Sequence, residues 1–508
     1  MTSQLKKISV NPNAWLITSW VVLLLPLLLL GSPGFYNDDF NSYQAIEQLG
    51  LSGAIQNWMN EYGSAYRPIG ISFLYGYYSI MPQNSYLLYF GYQLLYITLS
   101  FVIYREIYIF TKSSSTSVFL ALFFLFFPFN ATVYWQISSL MMVIATIFAL
   151  VLMRQIISLS NRVFIISIVG WIVLLFTYEQ LLGLAAVIGF LIATIHFEIN
   201  FYNFFKKIIF PLLIIVAVST IFLVVYFTSD INPKVVSLKS LNAEYLVQQE
   251  EGNVVVKQEE GKVISSNKKS GESQAIFSGL GRMDHITRRI DKAISFLASS
   301  ISYSLQGMLN SGIAGYIMIS AIAVLGVMSF FLPLYYPIFT KLTSLLYIFT
   351  GTLWVGATLA PFFLYDEVHI PPYTLMLPSI GLGIIMLGVF QLTINYFSDF
   401  FTKLILKVLF IFIVISFPLV QYGFYFGLNE ELRYWENIAT EINQGNAKIF
   451  EDKIIFTEIK GKKNFHIFWL ENAVGFRYIS DLIGEELNRN ITKVSRSGKK
   501  IILYSTVK

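Results

Sequence analysis

A chain of 508 residues that is 55% hydrophobic and only 13% charged, with a positive mean hydropathy, uses the bilayer as its main solvent, which excludes an ordinary soluble enzyme. Its formal charge of +5 is small and falls mostly in short loops between apolar runs, so it makes no case for nucleic acid. Without cysteine there are no disulfides or thiolate metal sites, and segments outside the membrane must hold together by packing alone.

About twenty apolar residues cross roughly 30 Å of hydrocarbon as a helix. Eleven runs meet that need: 14–31, 84–104, 116–134, 137–153, 163–178, 180–197, 208–228, 312–333, 342–364, 373–397 and 404–427. Short cytoplasmic loops carry the excess of Lys and Arg. With Lys6 and Lys7 inside, the alternating loops that hold Arg105 and Lys112, Arg154 and Arg162, Lys206 and Lys207, Lys341, and Lys403 and Lys407 all fall on the cytoplasmic side. Outer loops are nearly free of base apart from Arg67. The first run reads as a retained anchor, since Gly31-Ser32-Pro33 offers no good cleavage site. The expectation is an all-α polytopic membrane domain over 1–428, with outer loops at 32–83 and 229–311, and an external module over 429–508.

In the first outer loop, residues 41–62 read as one or two short surface helices burying Ile46, Leu49, Leu51, Ile55 and Trp58, a roof over the acids that precede them. The stretch 69–82, rich in Tyr and Phe, is too short to span and suits the membrane interface. Residues 229–275 are hydrophilic with a hairpin pattern around Glu259-Glu260-Gly261-Lys262, and Gly281 to Leu297 reads as a basic amphipathic helix. The last eighty residues predict a small α/β module: a polar helix near 429–444, strands at Lys453–Glu458 and Asn464–Leu470, a helix around 476–488 and a closing strand at Lys500–Thr506.

The residues best placed for chemistry are Asp38 and Asp39, two adjacent carboxylates just after the first span. Paired acids at the edge of a bilayer are costly and point to function. Two readings are open. The pair caps a surface helix, or one acid acts as general base on an acceptor hydroxyl while its neighbour orients it or helps hold a divalent metal such as Mg or Mn.

Five stretches occur in order with the acids: Asn37-Asp38-Asp39; Ser64-Ala65-Tyr66-Arg67-Pro68-Ile69; Pro82-Gln83-Asn84-Ser85-Tyr86; Tyr134-Trp135-Gln136-Ile137-Ser138-Ser139; and Phe176-Thr177-Tyr178-Glu179. A sixth, Leu377-Pro378-Ser379-Ile380-Gly381-Leu382, lies in the tenth run. The set resembles the C-type membrane glycosyltransferases (GT-C), in the branch of the transmembrane O-mannosyltransferases acting on cadherins and their bacterial relatives. The resemblance covers roughly residues 14–200 and 365–385. It implies a GT-C-like bundle and transfer of a sugar from a polyprenyl-phosphate donor to an acceptor on the non-cytoplasmic face, with the acidic motif as base and its leading acid, Asp38, as the usual one.

The topology independently puts Asp38, Asp39, Arg67, Glu179 and His369 on one side. Arg67 suits the donor phosphate because its fork binds phosphate oxygens in pairs, and Tyr66 beside it offers a ring to a sugar or an anchor to the interface. In the relatives an Arg commonly precedes the Leu-Pro-Ser motif, whereas this chain has Asp366-Glu367-Val368-His369-Ile370-Pro371-Pro372-Tyr373 there. His369, or Arg282, Arg288 or Arg289 from the second large loop, then becomes the candidate replacement. Glu179 ends an apolar run, where a carboxylate is rarely idle.

Two rival readings use the same features. A flippase or transporter of lipid-linked glycans also has many spans and sparse charge, although duplicated halves with broken helices are absent. A glycan polymerase or ligase is kept open by Arg282-Met283-Asp284-His285-Ile286-Thr287-Arg288-Arg289. Richness in Lys, Ile, Asn and Phe without cysteine suggests a bacterial plasma membrane, with a cell-surface glycan, lipid or protein as acceptor.

Overall fold

A computed structural model describes residues 12–33, 38–62, 67–80, 84–157, 161–195, parts of 213–220, 297–330, 341–364, 375–397, 400–445, 447–450, 453–456, 489–497 and 500–507. The helices are α1 (Pro12–Leu30), α2 (Asp38–Tyr62), α3 (Pro68–Ile80), α4 (Ser85–Thr111), α5 (Ser114–Phe126), α6 (Asn130–Tyr134), α7 (Leu140–Ile157), α8 (Asn161–Leu175), α9 (Leu184–Ile195), α10 (Gly312–Phe330), α11 (Lys341–Leu364), α12 (Met376–Tyr396) and α13 (Phe400–Asn443). Among the described residues, six helices are long and apolar enough to cross a membrane: Ser85–Thr111, Ile137–Ile157, Gly312–Ser329, Lys341–Leu359, Met376–Tyr396 and Leu404–Glu430. Three shorter apolar helices, Ala14–Leu30, Ser114–Phe126 and Gln180–Ile192, accompany them. The chain is a mainly helical integral membrane protein. The expected run 208–228 lies mostly outside the described residues.

The run 116–134 is not one helix. α5 stops at Phe126 because Pro128 lacks an N–H and holds Phe127 in an extended conformation (φ −55°, ψ 125°). Its thirteen residues rise only about 20 Å, less than the hydrocarbon core. The short α6 and a tight helical turn at Ile137–Ser139 follow before α7 begins. Irregular backbone is tolerated at membrane depth only where protein satisfies it. Here Asn130 Nδ2 donates to Phe124 O at 2.8 Å, the Tyr92 hydroxyl donates to Val133 O, and Gln421 Nε2 donates to Phe127 O at 3.4 Å, while Trp135 Nε1 returns a bond to Gln421 O at 3.1 Å. Tyr134 Oη reaches Leu23 O at 3.1 Å and Tyr425 Oη reaches Gly31 O at 2.9 Å, so this buried break ties α1, α4 and α13 together.

A seam of small residues joins α11 and α12. A β-carbon on Gly381 would lie 2.8 Å from Gly351 O, and one on Gly388 would lie 2.8 Å from Ser344 O. These close approaches pack α11 on α12, the means by which helices associate when lipid removes the hydrophobic drive.

α2 is two helices joined at Gly50, whose φ of 67° is left-handed. The turn redirects the second half, so Leu49 and Leu51, expected on the buried face, are exposed, while Ala54 is buried and Ile46, Ile55 and Trp58 pack against the core. α3 buries Gly70, Ile71, Leu74, Tyr75 and Tyr78 against α2 and α7.

The expected polar helix near 429–444 is instead the continuation of the last span. α13 has 44 residues, about 66 Å at 1.5 Å per residue, because nothing after Pro418 breaks it. Beyond it, β1 (Ala447–Ile449), β2 (Lys453–Phe456), β3 (Arg489–Ser497) and β4 (Lys500–Val507) form an antiparallel sheet in the order β1-β2-β4-β3. Ile454 and Leu503 pair across β2 and β4 and are fully buried. β3 carries a bulge between Ile491 and Lys493, which breaks the alternation that would have marked it as a strand. The expected strand 464–470 and helix 476–488 lie outside the described residues.

Candidate functional site

Asp39 lies in the first turn of α2 and is wholly buried. Its Oδ1 accepts the Ser138 amide at 2.6 Å; its Oδ2 accepts the Ile137 amide at 2.9 Å and the Tyr89 hydroxyl at 3.3 Å. The donor amides are the first of the continuous Ile137–Ile157 helix, groups that have no partner inside their own helix. A carboxylate at that position meets both the unpaired N–H groups and the positive end of the helix dipole. Asp39 therefore caps a second helix while standing at the start of its own. Asp38, the residue before it, opens α2; its side chain lies outside the described atoms.

Arg67 precedes α3 and its carbonyl accepts the Ile71 amide at 2.9 Å, which makes it the cap residue of that helix. It does so with φ 50°, a left-handed conformation that costs a non-glycine residue on the order of 1–2 kcal/mol. Its guanidinium carbon lies over the Tyr178 ring, 4.5 Å from the centroid. Gly70 permits this approach, since a β-carbon there would sit 2.5 Å from Thr177 O and 3.2 Å from the Met141 β-carbon. Met141 follows Ser138 by about one helical turn, so the Asp39 cap and the Arg67–Tyr178 contact occupy the same end of the bundle.

Two other stretches of the sequence pattern make contacts with residues outside it. Asn130 Nδ2 donates to Ser379 Oγ at 3.2 Å. Asn84 caps α4 by accepting the Leu87 amide, and the Ser32 and Ser85 hydroxyls lie 2.7 Å apart. Nearby, Tyr77 Oη donates to Leu88 O at 2.5 Å, and burial pushes that phenol well above its usual range. Tyr89 was not among the expected site residues; the signal for it is a tyrosine one turn past the Asn84 cap, on the helix that follows the acidic loop.

Of the remaining expected site residues, Glu179 opens a short helical turn, Glu179–Gly183, directly after Tyr178 and so at the same end; its side chain lies outside the described atoms. Tyr66, Arg282, Arg288, Arg289 and His369 lie outside the described residues altogether. Among the described residues no group of three His, Asp or Glu side chains gathers to hold a metal ion. Comparison with protein-family models, with curated proteins and with solved structures gives no match for this chain.

Proposed function

We propose that this protein is a GT-C-like membrane glycosyltransferase of eleven spans that moves a sugar from a polyprenyl-phosphate donor to a hydroxyl acceptor at the non-cytoplasmic face of a bacterial plasma membrane. The observation that carries the reading is the cap on Asp39. Fixed donors hold both of its oxygens, which sets the first turn of α2 and leaves the base role to its neighbour Asp38. Asp39 is then a positioning residue.

In the step proposed, the acceptor oxygen attacks the anomeric carbon as its hydroxyl proton passes to the Asp38 carboxylate. The bond from the anomeric carbon to the phosphate oxygen breaks, and polyprenyl phosphate leaves with the electron pair. Arg67 supports this reading because it stands over the Tyr178 ring at the end of the bundle that holds the Asp39 cap, and its planar fork binds phosphate oxygens in pairs. Glu179, on the same end, is the candidate for contact with the sugar.

The test is transferase turnover of the purified full chain with a panel of polyprenyl-phosphate hexoses. General-base assistance is worth roughly 10²–10⁴-fold. Asp38→Asn should lose about that much turnover while its melting temperature stays unchanged. Full activity in the Asp38→Asn, Asp39→Asn double variant rejects the transferase reading and returns movement of lipid-linked glycans to first place.

A further inference from the structure

The far end of the bundle holds a second feature that the transferase reading does not use. Glu106 lies on α4 seventeen residues beyond Tyr89, about 25 Å along the axis and about 7 Å short of the helix end. It is 4% exposed, at the end where the basic loops gather. Arg154 of α7 places Nε 3.3 Å from Glu106 Oε2, yet neither carboxylate oxygen has a hydrogen-bond partner among the described residues. A buried carboxylate in that state costs free energy until a donor reaches it.

Both residues line a cavity of about 220 Å³ between α4, α7, α9, α11 and α12. The rest of its wall is mostly apolar and includes Leu191, Tyr347, Trp354 and Ile384. Trp354 is thirteen residues into α11, about 20 Å from the basic end, so the cavity runs from the Glu106–Arg154 pair toward mid-bundle. Apolar cavities of roughly 150 Å³ take a benzene, and drug-sized ligands need roughly 300 Å³ or more. This volume takes one hydrocarbon chain. It is too small for a glycan of several sugars, and its run from the Glu106–Arg154 pair toward Trp354 suits an extended chain.

The charges decide what heads that chain. Arg105 also acts on Glu106 but is exposed to solvent and lies outside the wall, so the charges in the wall balance; an anionic head would leave Glu106 uncompensated and a cationic head would do the same to Arg154. A neutral head that both donates and accepts satisfies the pair: a hydroxyl donates a hydrogen bond to Glu106 and accepts one from Arg154, whose side chain is 22% exposed and so reaches the mouth. We infer that this cavity is a binding site for a neutral, single-chain, hydroxyl-headed amphiphile, of the class of long-chain alcohols and monoacylglycerols.

The probes are 11-bromoundecan-1-ol, its methyl ether and 11-bromoundecanoate, added to the full chain in phospholipid nanodiscs. A terminal bromine seated at the cavity floor quenches Trp354, and Trp354→Phe isolates that part of the emission. Saturable quenching by the alcohol is expected, with the ether and the carboxylate weaker by roughly tenfold or more, the discrimination of one hydrogen bond to a charged group. Glu106→Leu with Arg154→Leu removes both charges together, an exchange that leaves no unpaired ion, and alcohol and ether should then bind alike. Equal quenching by all three probes in the wild type, or quenching that does not depend on Trp354, overturns the site. The wild-type comparison decides the matter even where a variant does not fold, and its outcome is independent of transferase activity.

Discussion

The amide of Ser138 meets Asp39 Oδ1 at 2.6 Å, so one carboxylate begins two helices: its own α2 and the span that starts at Ile137. This contact joins the first outer loop to the core of the bundle. In the proposed reading it also separates the roles of two acids that are adjacent in sequence and chemically identical.

Removing the Asp39 carboxylate should destabilise the fold rather than only slow a reaction. Helix caps are worth about 0.5–2 kcal/mol and a stranded buried donor about 1–3 kcal/mol. Asp39→Ala should therefore cost about 2–4 kcal/mol, and Asp39→Asn, which keeps one acceptor, roughly half of that. Thermal unfolding in detergent reads the difference. A wild-type melting temperature in Asp39→Ala would mean that the Ile137 and Ser138 amides have another acceptor.

At Arg67 the backbone and the side chain pull in opposite directions. Glycine at φ 50° escapes a penalty of about 1–2 kcal/mol but gives up the contact with Tyr178, worth about 0.5–2 kcal/mol. Arg67→Gly should thus melt close to the wild type, and Arg67→Ala, which keeps the strain and loses the contact, below it. Donor affinity should follow a different order: Arg67→Ala falls further than Arg67→Lys, because only alanine removes the charge. Unchanged donor binding in Arg67→Ala removes this residue from the phosphate site.

The alternation of basic loops orients the whole chain. Reporter fusions at Lys112, Lys207 and Lys403 should read cytoplasmic, and a fusion after Lys508 external. An external signal at Lys207 would overturn the arrangement of spans, although Glu179 follows Tyr178 at the end of the bundle that holds Arg67.

The sequence alone determined the solvent and the class of the protein. Apolar runs of bilayer length are a one-dimensional property, and several helices follow them: α1, α10, α11 and α12 begin and end near where the hydrophobic runs do. The Asp39 neighbourhood was legible only as a set of ordered stretches. Their order says nothing of which amide faces which carboxylate, and Ile137 and Ser138 contribute backbone groups that every residue carries. Three features required the tertiary structure. The buried break at Phe127–Ser139 depends on Tyr92 and Gln421 arriving from elsewhere to satisfy its backbone. The bulge in β3 hides a strand whose pairing is set by β4. Glu106 sits one place after exposed Arg105 and looks like part of a charged loop until α7 brings Arg154 to it, because burial is fixed by neighbours distant in sequence.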